Sequence, residues 1–439
     1  MRVCRSTVVP CLLVTLLAFS SLPLRSAAPA QTVSTLPGQL SDLEFWRMIS
    51  EFSEPGGTYP YENFVSNEKK LQTVIPALKK TSKPGGVFLG VGPEQNFTYA
   101  VALQSRMAFV IDIRRQNMIE LLMYKALFEL SPNRADFVSR LFSRKRPAGI
   151  SEKATPEALF MAFESVQPDA SFETENLKAI KDSMAMHGFQ LTPDDLLKID
   201  YVYQVFYRGG PSINYEFASA SPLTNSVSYA NNMTATDTTG HNWAYLATEE
   251  NYQYIREMQR KNMIVPLVGD FAGPAVLRNI GRYLRDHNAN VSEFYISNVE
   301  SYLDDRKMQD FYANVAALPV DSSSMFIRLI DGNHTSSLPW WRSGMGNQQL
   351  VSPMADLVNL IKAGKHPGYD DTLRTTQDPL VLAGLASPQD SVLGVGPFQF
   401  VPKGAPGPSG YMLIGTTRQT IQLLDGSTRI ADMDVYTKK

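Results

Sequence analysis

A glycine-bearing turn between two apolar runs, within residues 85–115, constrains the fold of this chain more than any other feature. The run at residues 87–89 leads into the turn, a segment of helical length follows, and a second run at residues 107–111 ends at Asp112. A strand, a glycine-rich turn, a helix and a strand that ends in a carboxylate form the first half of a nucleotide-binding βαβ unit. This stretch predicts a fold and a class of ligand, but it does not predict a reaction.

The alternation of apolar runs and helical patterns resumes in the second half of the chain. Residues 262–268 form an apolar run that leads into a Gly-Asp pair, residues 291–296 form a run that leads into Ser-Asn, and residues 324–330 form a third run. Helical patterns separate these runs. Strands that alternate with helices through short connections predict a parallel sheet with helices on both faces. We therefore predict an α/β fold.

Two segments do not fit this alternation. Residues 131–255 hold several helical patterns and a polar loop, which predicts a mainly helical insertion between the second and third strands of a core at residues 31–340. Residues 341–439 hold a helical pattern, a stretch dense in Pro and Gly, and β-rich segments within residues 411–436 that include a hairpin turn at residues 425–426. This pattern predicts a β-rich C-terminal extension, whose strands either join the main sheet or form a separate module.

The first 30 residues are typical of a secretory signal peptide. Arg2 and Arg5 precede an apolar stretch at residues 8–19, and an Ala-Pro-Ala cleavage site follows at residues 28–30. The apolar stretch is shorter than the roughly 20 residues that span a bilayer. We therefore predict an exported protein, periplasmic or extracellular, without a stable membrane span after cleavage. An anchor that stays in the membrane is the alternative.

Composition and motifs exclude several classes of function. Both cysteines, Cys4 and Cys11, lie in the predicted signal, so a mature chain would have no disulfide and no thiolate metal site. The five histidines form no H-x-x-x-H pair, and we predict no metal site. The net charge of -2 does not favour a nucleic-acid partner. The chain has no P-loop and no G-x-S-x-G elbow, which argues against a P-loop nucleotide site and against an α/β-hydrolase. We expect a small-molecule ligand of another kind. The oligomeric state stays open.

The strand ends of the predicted sheet bring polar groups and glycines together. Ligands of open parallel sheets bind outside the carboxyl ends of the strands. Gly90 and Gly92 present no Cβ, so their backbone allows close approach of a ligand. Asp112 follows Gly90 by about 20 residues, the spacing at which an acid meets a ribose hydroxyl. The groups that we expect to converge on one crevice are the glycine turn, Asp112, Asp270, Ser297 and Asn298.

These motifs, taken in order, resemble those of the class I S-adenosylmethionine-dependent methyltransferases. The resemblance covers residues 60–130 and 260–330. Residues 88–92 look like the first motif of that family, residues 269–271 look like its third-strand motif, and residues 294–299 resemble its fourth-strand motif. The resemblance implies a methyltransferase-like Rossmann core, S-adenosylmethionine as the cofactor, and methyl transfer to an unknown acceptor.

The resemblance also implies roles for individual residues. Asp112 matches the acid that binds the adenosine ribose. Asp270, followed by Phe271, matches the acid that hydrogen-bonds the adenine amino group. Ser297 and Asn298 fall in the motif next to the methyl donor.

The sequence departs from the family pattern at two of these motifs. Phe88 and Leu89 stand where an acidic residue usually precedes the glycines, and Glu94 follows the turn, where we expect it to serve as a polar contact. Residues 297–300 are not the Asp/Asn-Pro-Pro-aromatic motif, which argues against N-methylation of nucleobases. No catalytic base is identified, but displacement at a sulfonium depends more on positioning and desolvation than on a base.

Several alternatives stay open. A nicotinamide-dependent oxidoreductase would have G-x-G-x-x-G, but Gln95 replaces the last glycine, and Pro93 lacks an N–H group. S-adenosylmethionine is made in the cytoplasm, so export favours a non-catalytic ligand-binding or assembly module on the same fold. Residues 58–70 form either a lid over a ligand site or a surface loop that is held by its tyrosines. Asp270 is either a ligand contact or the cap of the next helix.

Overall fold

The computed structural model describes residues 1, 34–217, 227–332, 334–341, 346–385, 394–395, 398–404, 411–422 and 428–438. The description below concerns the unit formed by residues 34–439. The predicted signal peptide and the predicted turn at residues 425–426 lie outside the described residues.

Six strands form the main sheet. They are β1 (Val87–Val91), β2 (Met107–Asp112), β3 (Ile264–Val268), β4 (Val291–Ser297), β5 (Met325–Ile330) and β6 (Gln348–Pro353). Their order is β3-β2-β1-β4-β5-β6. The first five are parallel, and β6 pairs antiparallel with β5. The predicted α/β class is confirmed, whereas the antiparallel edge strand was not predicted.

The central strands are buried on both faces, which explains their unbroken apolar sequences. Every residue of β2 and every residue of β3 is buried. Side chains of a strand alternate between the two faces of a sheet, so burial of consecutive residues requires a covering layer on each face. The mixed α/β arrangement follows from this double burial.

The helices of the described part of the chain form two groups. The first group precedes β3 and comprises α1 (Asp42–Phe52), α2 (Ile75–Thr81), α3 (Gln95–Ala102), α4 (Arg115–Leu130), α5 (Arg134–Leu141), α6 (Pro156–Glu164), α7 (Ala170–Met186), α8 (Pro193–Gly209), α9 (Tyr229–Thr234) and α10 (Glu249–Arg260). The second group follows β3 and comprises α11 (Val276–Asp286), α12 (Asp305–Ala316), α13 (Met354–Lys362), α14 (Tyr369–Leu373) and α15 (Pro379–Leu382). Short 3-10 helices lie at Leu71–Val74, Gly210–Ser212, Val299–Tyr302 and Thr335–Ser337.

Helix α4 is the element around which the segment between β2 and β3 packs. It contacts α5, α7, α8 and α10 as well as β2 and β3. Its residues from Asn117 to Phe128 are all buried. Burial on all sides accounts for the Met, Leu and Phe residues of this stretch, and the polar residues Asn117, Glu120 and Lys125 are buried with them. Helices α5–α10 lie where the sequence predicts the insertion.

The last strands form a sheet of their own. They are β7 (Gly394–Val395), β8 (Phe398–Pro402), β9 (Tyr411–Gln422) and β10 (Thr428–Lys438). They are ordered β7-β8-β10-β9 and are antiparallel throughout. Among the described residues, these four strands pair with one another and not with the strands of the main sheet. Among the helices of the described segments, none has the length and apolar character needed to cross a membrane.

Candidate functional site

A cavity of about 330 Å³ lies at the carboxyl ends of β1, β2, β3 and β4. These four strands are neighbours and parallel, so their carboxyl ends share one edge of the sheet. Cavities of this size accommodate small-molecule ligands. Six of the eight predicted site residues line it, namely Gly92, Asp112, Asp270, Phe271, Ser297 and Asn298.

The glycine turn is held in place by two asparagine side chains. The Nδ2 group of Asn96 donates hydrogen bonds to the carbonyl oxygens of Val91 (3.0 Å), Gly92 (3.1 Å) and Pro93 (2.7 Å). Asn117 Nδ2 also donates to Gly92 O at 3.1 Å. Gly92 has a φ of +78°, which favours glycine because a Cβ is strained there. The turn is therefore a rigid part of the cavity wall.

Gly90 and Glu94, the other two predicted site residues, do not line the cavity. Gly90 lies within β1, and a Cβ there would come to 1.9 Å from Asn96 Oδ1. This glycine is needed for the packing of Asn96, not for the approach of a ligand. Glu94 directly precedes α3, and its side chain is fully buried, so the structure does not bring it to the cavity wall as a polar contact. Its Oε1 atom accepts the N–H of Ser66 at 3.3 Å, and burial raises its pKa to about 8.

The carboxylate of Asp112 is bound by an arginine that was not predicted as a site residue. Asp112 Oδ1 accepts the backbone N–H (2.8 Å) and the Nε–H (3.0 Å) of Arg114, and Asp112 Oδ2 accepts Nη2–H at 2.8 Å. Arg114 also donates to the carbonyl oxygen of Glu62. A carboxylate has about four acceptor positions, so Arg114 leaves about one for a ligand hydroxyl.

Asp270 does not cap the helix that follows it. The N–H of Val276, at the start of α11, donates to the carboxylate of Glu54 at 2.8 Å. Asp270 instead accepts the N–H of Ala272 at 2.9 Å, and its other oxygen lies 3.2 Å from Lys307 Nζ on α12. The capping alternative is therefore wrong, and the Asp270 carboxylate is at the cavity with a lysine beside it.

Phe271 gives the cavity an apolar wall. Its ring packs against Phe294 and Phe311, with centroid separations of 5.0 and 5.4 Å. The residue is almost fully buried. Its ring is therefore held in a fixed orientation at the end of β3.

The end of β4 carries a strained backbone and an unpredicted acid. Ser297 has a φ of +51°, an uncommon conformation for a residue other than glycine. Its hydroxyl donates to Glu68 Oε1, which also accepts the hydroxyl of Tyr295 at 2.6 Å. Gln349 Nε2 donates to the other oxygen, Glu68 Oε2. Glu68 is almost fully buried and lines the cavity.

The segment at residues 58–70 combines both predicted alternatives. Its members Tyr59, Asn63 and Glu68 line the cavity, as a lid would. Its tyrosines also hold it in place, because the ring centroid of Tyr59 lies 5.5 Å from that of Tyr302, and the two hydroxyl oxygens are 3.1 Å apart. Residues 58–70, called the lid below, are thus joined to the segment after β4.

Further residues of the site were not predicted from the sequence. They are Glu68, Arg114, Tyr215, Tyr295 and Lys307. Arg114 follows Asp112 by two residues, which is a spacing that sequence inspection can use, whereas Lys307 reaches the site from α12 without any local motif. In the part of the chain that is described, no group of three or more His, Cys, Asp or Glu side chains is arranged to hold a metal ion.

The chain was compared with models of protein families and with curated proteins. Residues 63–378 match the model of a family described as a domain of unknown function, DUF7790. The match spans the whole main sheet and ends before β7. No curated protein matches the chain.

Proposed function

The chain belongs to the DUF7790 family, a domain of unknown function, and we propose that its cavity binds S-adenosylmethionine for methyl transfer to an acceptor. The observation that carries the proposal is the convergence of Gly92, Asp112, Asp270 and Ser297 on one cavity. These residues follow or end four adjacent strands, and they stand in the motifs that resemble those of class I methyltransferases. The acceptor is not identified by the site.

The residues of the wall fit a nucleoside. The remaining acceptor position of Asp112 suits a ribose hydroxyl, the carboxylate of Asp270 suits an amino group, and the ring of Phe271 suits the face of a base. Gly92 adds no side chain to the turn. A Cβ at this position would come to 3.0 Å from Gln95 Nε2, so the turn has no room for a larger residue unless Gln95 moves. When bound, S-adenosylmethionine supplies a methyl group on a sulfonium.

The chain itself would position the reactants and exclude water. Tyr59, Tyr215 and Tyr302 lie on the cavity wall and contact one another through their hydroxyl groups, at 3.1 and 3.5 Å. They come from the lid, from the segment after α8 and from the 3-10 helix after β4. Closure of three segments over a cavity favours transfer reactions that need orientation and desolvation.

Titration calorimetry tests the proposal. The purified chain is titrated with S-adenosylmethionine and with S-adenosylhomocysteine, and we expect micromolar binding. Asp270→Asn should weaken binding by about tenfold or more, since a hydrogen bond to a charged group contributes about 1.5–3 kcal/mol. Asp182→Asn, on the exposed face of α7, is the matched control. Absence of heat with both ligands, for a wild-type chain whose unfolding is cooperative, would rule the proposal out.

A non-catalytic binding module is the second candidate. It is favoured by the ion pairs of Asp112 with Arg114 and of Asp270 with Lys307, because both acids are paired with cations of the chain itself. It also suits the proposed export of the chain, which a reporter fused to residues 1–35 would test. Binding without methyl release to any acceptor in a cell extract would favour this candidate.

A nicotinamide-dependent oxidoreductase is less well supported. Gln95 begins α3, and its Nε2 group donates to Val91 O at 3.2 Å and to the Tyr295 hydroxyl at 3.3 Å. The Gln95 side chain therefore folds over the helix start, where a dinucleotide would place its phosphates.

A further inference from the structure

Glu68 differs from the other two acids of the cavity in having only neutral partners. Asp112 pairs with Arg114, and Asp270 pairs with Lys307. Glu68 accepts hydrogen bonds from side-chain hydroxyl and amide groups, and among the residues with described positions no cation lies within ion-pair distance of it.

The surroundings of Glu68 make an uncompensated charge costly. Its carboxylate is almost fully buried, and burial raises its pKa, while hydrogen bonds from Ser297, Tyr295 and Gln349 oppose that rise. The titratable groups that face it are the phenols of Tyr295 and Tyr99, which are neutral at physiological pH because burial raises the pKa of each. A buried carboxylate is stabilised most by an opposite charge, and the cavity is where one can reach it.

We infer that Glu68 binds the positively charged group of the cavity's ligand, an organic cation of the sulfonium or alkylammonium class. The three neutral donors fix the carboxylate in the wall and leave about one acceptor position on Oε2. The positive φ of Ser297 directs its hydroxyl to Glu68, so backbone strain at the end of β4 helps to hold this anion in place. The inference rests on the proposed function for the identity of the ligand as a sulfonium, but not for its charge.

The first test compares a charged ligand with its neutral counterpart. By calorimetry, we expect wild type to prefer S-adenosylmethionine, a sulfonium, over S-adenosylhomocysteine, a thioether, by about tenfold, since a neighbouring charge shifts such equilibria by one or more powers of ten. Glu68→Gln should abolish this preference. Glu293→Gln changes a buried glutamate outside the cavity wall and should leave the preference unchanged. An unchanged preference in Glu68→Gln overturns the inference.

A second variant covers the case in which Glu68→Gln does not fold. Gln349→Lys would place a cation of the protein beside Glu68, and we expect it to remove the preference for the sulfonium as well. A full preference in a folded Gln349→Lys overturns the inference.

A third measurement separates the inference from the proposed function. If wild type binds neither adenosyl ligand, the proposed function fails. The inference on Glu68 is then tested by the thermal unfolding midpoint of the chain with choline and with its neutral isostere 3,3-dimethyl-1-butanol. A higher unfolding midpoint with choline alone, in wild type but not in Glu68→Gln, supports the inference. Equal midpoints with the two compounds overturn it.

Discussion

The guanidinium of Arg114 donates to both carboxylate oxygens of Asp112, at 3.0 and 2.8 Å, and Asp112 lines the cavity. Both side chains are nearly buried. The Arg114 guanidinium also lies 5.7 Å from the ring centroid of Tyr59. Arg114 therefore connects the end of β2 with the lid.

Arg114→Met should destabilise the chain. The substitution leaves the charge of Asp112 buried without its cation, which costs about 3 kcal/mol or more. Urea unfolding followed by circular dichroism measures the change. The control is Arg374→Gln, since Arg374 forms an exposed pair with Asp371 and such pairs contribute about 1 kcal/mol or less. Equal losses for the two variants would contradict the role of the buried pair.

Glu94→Gln should change the pH dependence of stability. The folded pKa of about 8 lies above the ordinary 4.5 because the carboxyl is buried, so the unfolded chain loses this proton at a lower pH than the folded chain. Stability from Glu94 is fully present below the unfolded pKa and is lost as pH rises toward 8. The difference in unfolding free energy between variant and wild type should therefore grow from pH 5 to pH 9, by a total on the order of 4 kcal/mol.

The control for Glu94 is Glu51→Gln, which changes an exposed carboxyl on α1. Its difference from wild type over the same pH range is the reference for the general effect of replacing a carboxyl by an amide. A constant difference for Glu94→Gln would show that the Glu94 carboxyl titrates normally in the folded chain.

His187 should stabilise the chain mainly at low pH. Its Nε2 lies 2.7 Å from Glu129 Oε2 and its Nδ1 lies 2.9 Å from Asp42 Oδ2, so it joins α7 to α4 and α1. The hydrogen bond with Glu129 raises the His187 pKa above 6.5 despite partial burial. This stabilisation is fully present below the unfolded pKa and is lost as pH rises through the folded pKa.

The measurement for His187 is the loss of unfolding free energy in His187→Gln. We expect a larger loss at pH 5.5 than at pH 9, because the raised pKa of His187 stabilises the folded chain only while the imidazole is protonated. His366→Gln, which changes an exposed histidine, is measured over the same pH range as the matched control. A loss that is independent of pH would assign His187 a packing role only.

The strand ends of the site could be predicted because parallel topology alone brings them together. Asp112, Asp270 and Ser297 each end or follow an apolar run, and adjacent parallel strands put such residues at one edge. Phe271 and Asn298 directly follow Asp270 and Ser297 in the chain, so their position at this edge could be predicted for the same reason. This part of the site therefore needs only the correct order of strands.

The rest of the site depends on contacts that no local pattern records. Glu68 meets Ser297 across 229 positions of the chain, and Tyr215 reaches the lid from the insertion. Glu94 does not line the cavity, and the sequence pattern alone does not show that its side chain is buried beside Ser66. The antiparallel direction of β6 is also set by its pairing with β5. The sequence of a short strand does not indicate the direction in which that strand pairs.

Ser297 offers a test of strain at the site. Glycine adopts a φ of +51° without the cost of a Cβ, whereas alanine keeps that cost, and both lose the hydroxyl that donates to Glu68. Ser297→Gly should therefore be more stable than Ser297→Ala by about 1 kcal/mol, measured as the difference between their urea unfolding free energies. The same pair at Ser301, which lies in a 3-10 helix, should favour alanine. If alanine were also favoured at position 297, the left-handed backbone there would carry no strain. Backbone strain at Ser297 would then have no part in holding the Glu68 carboxylate.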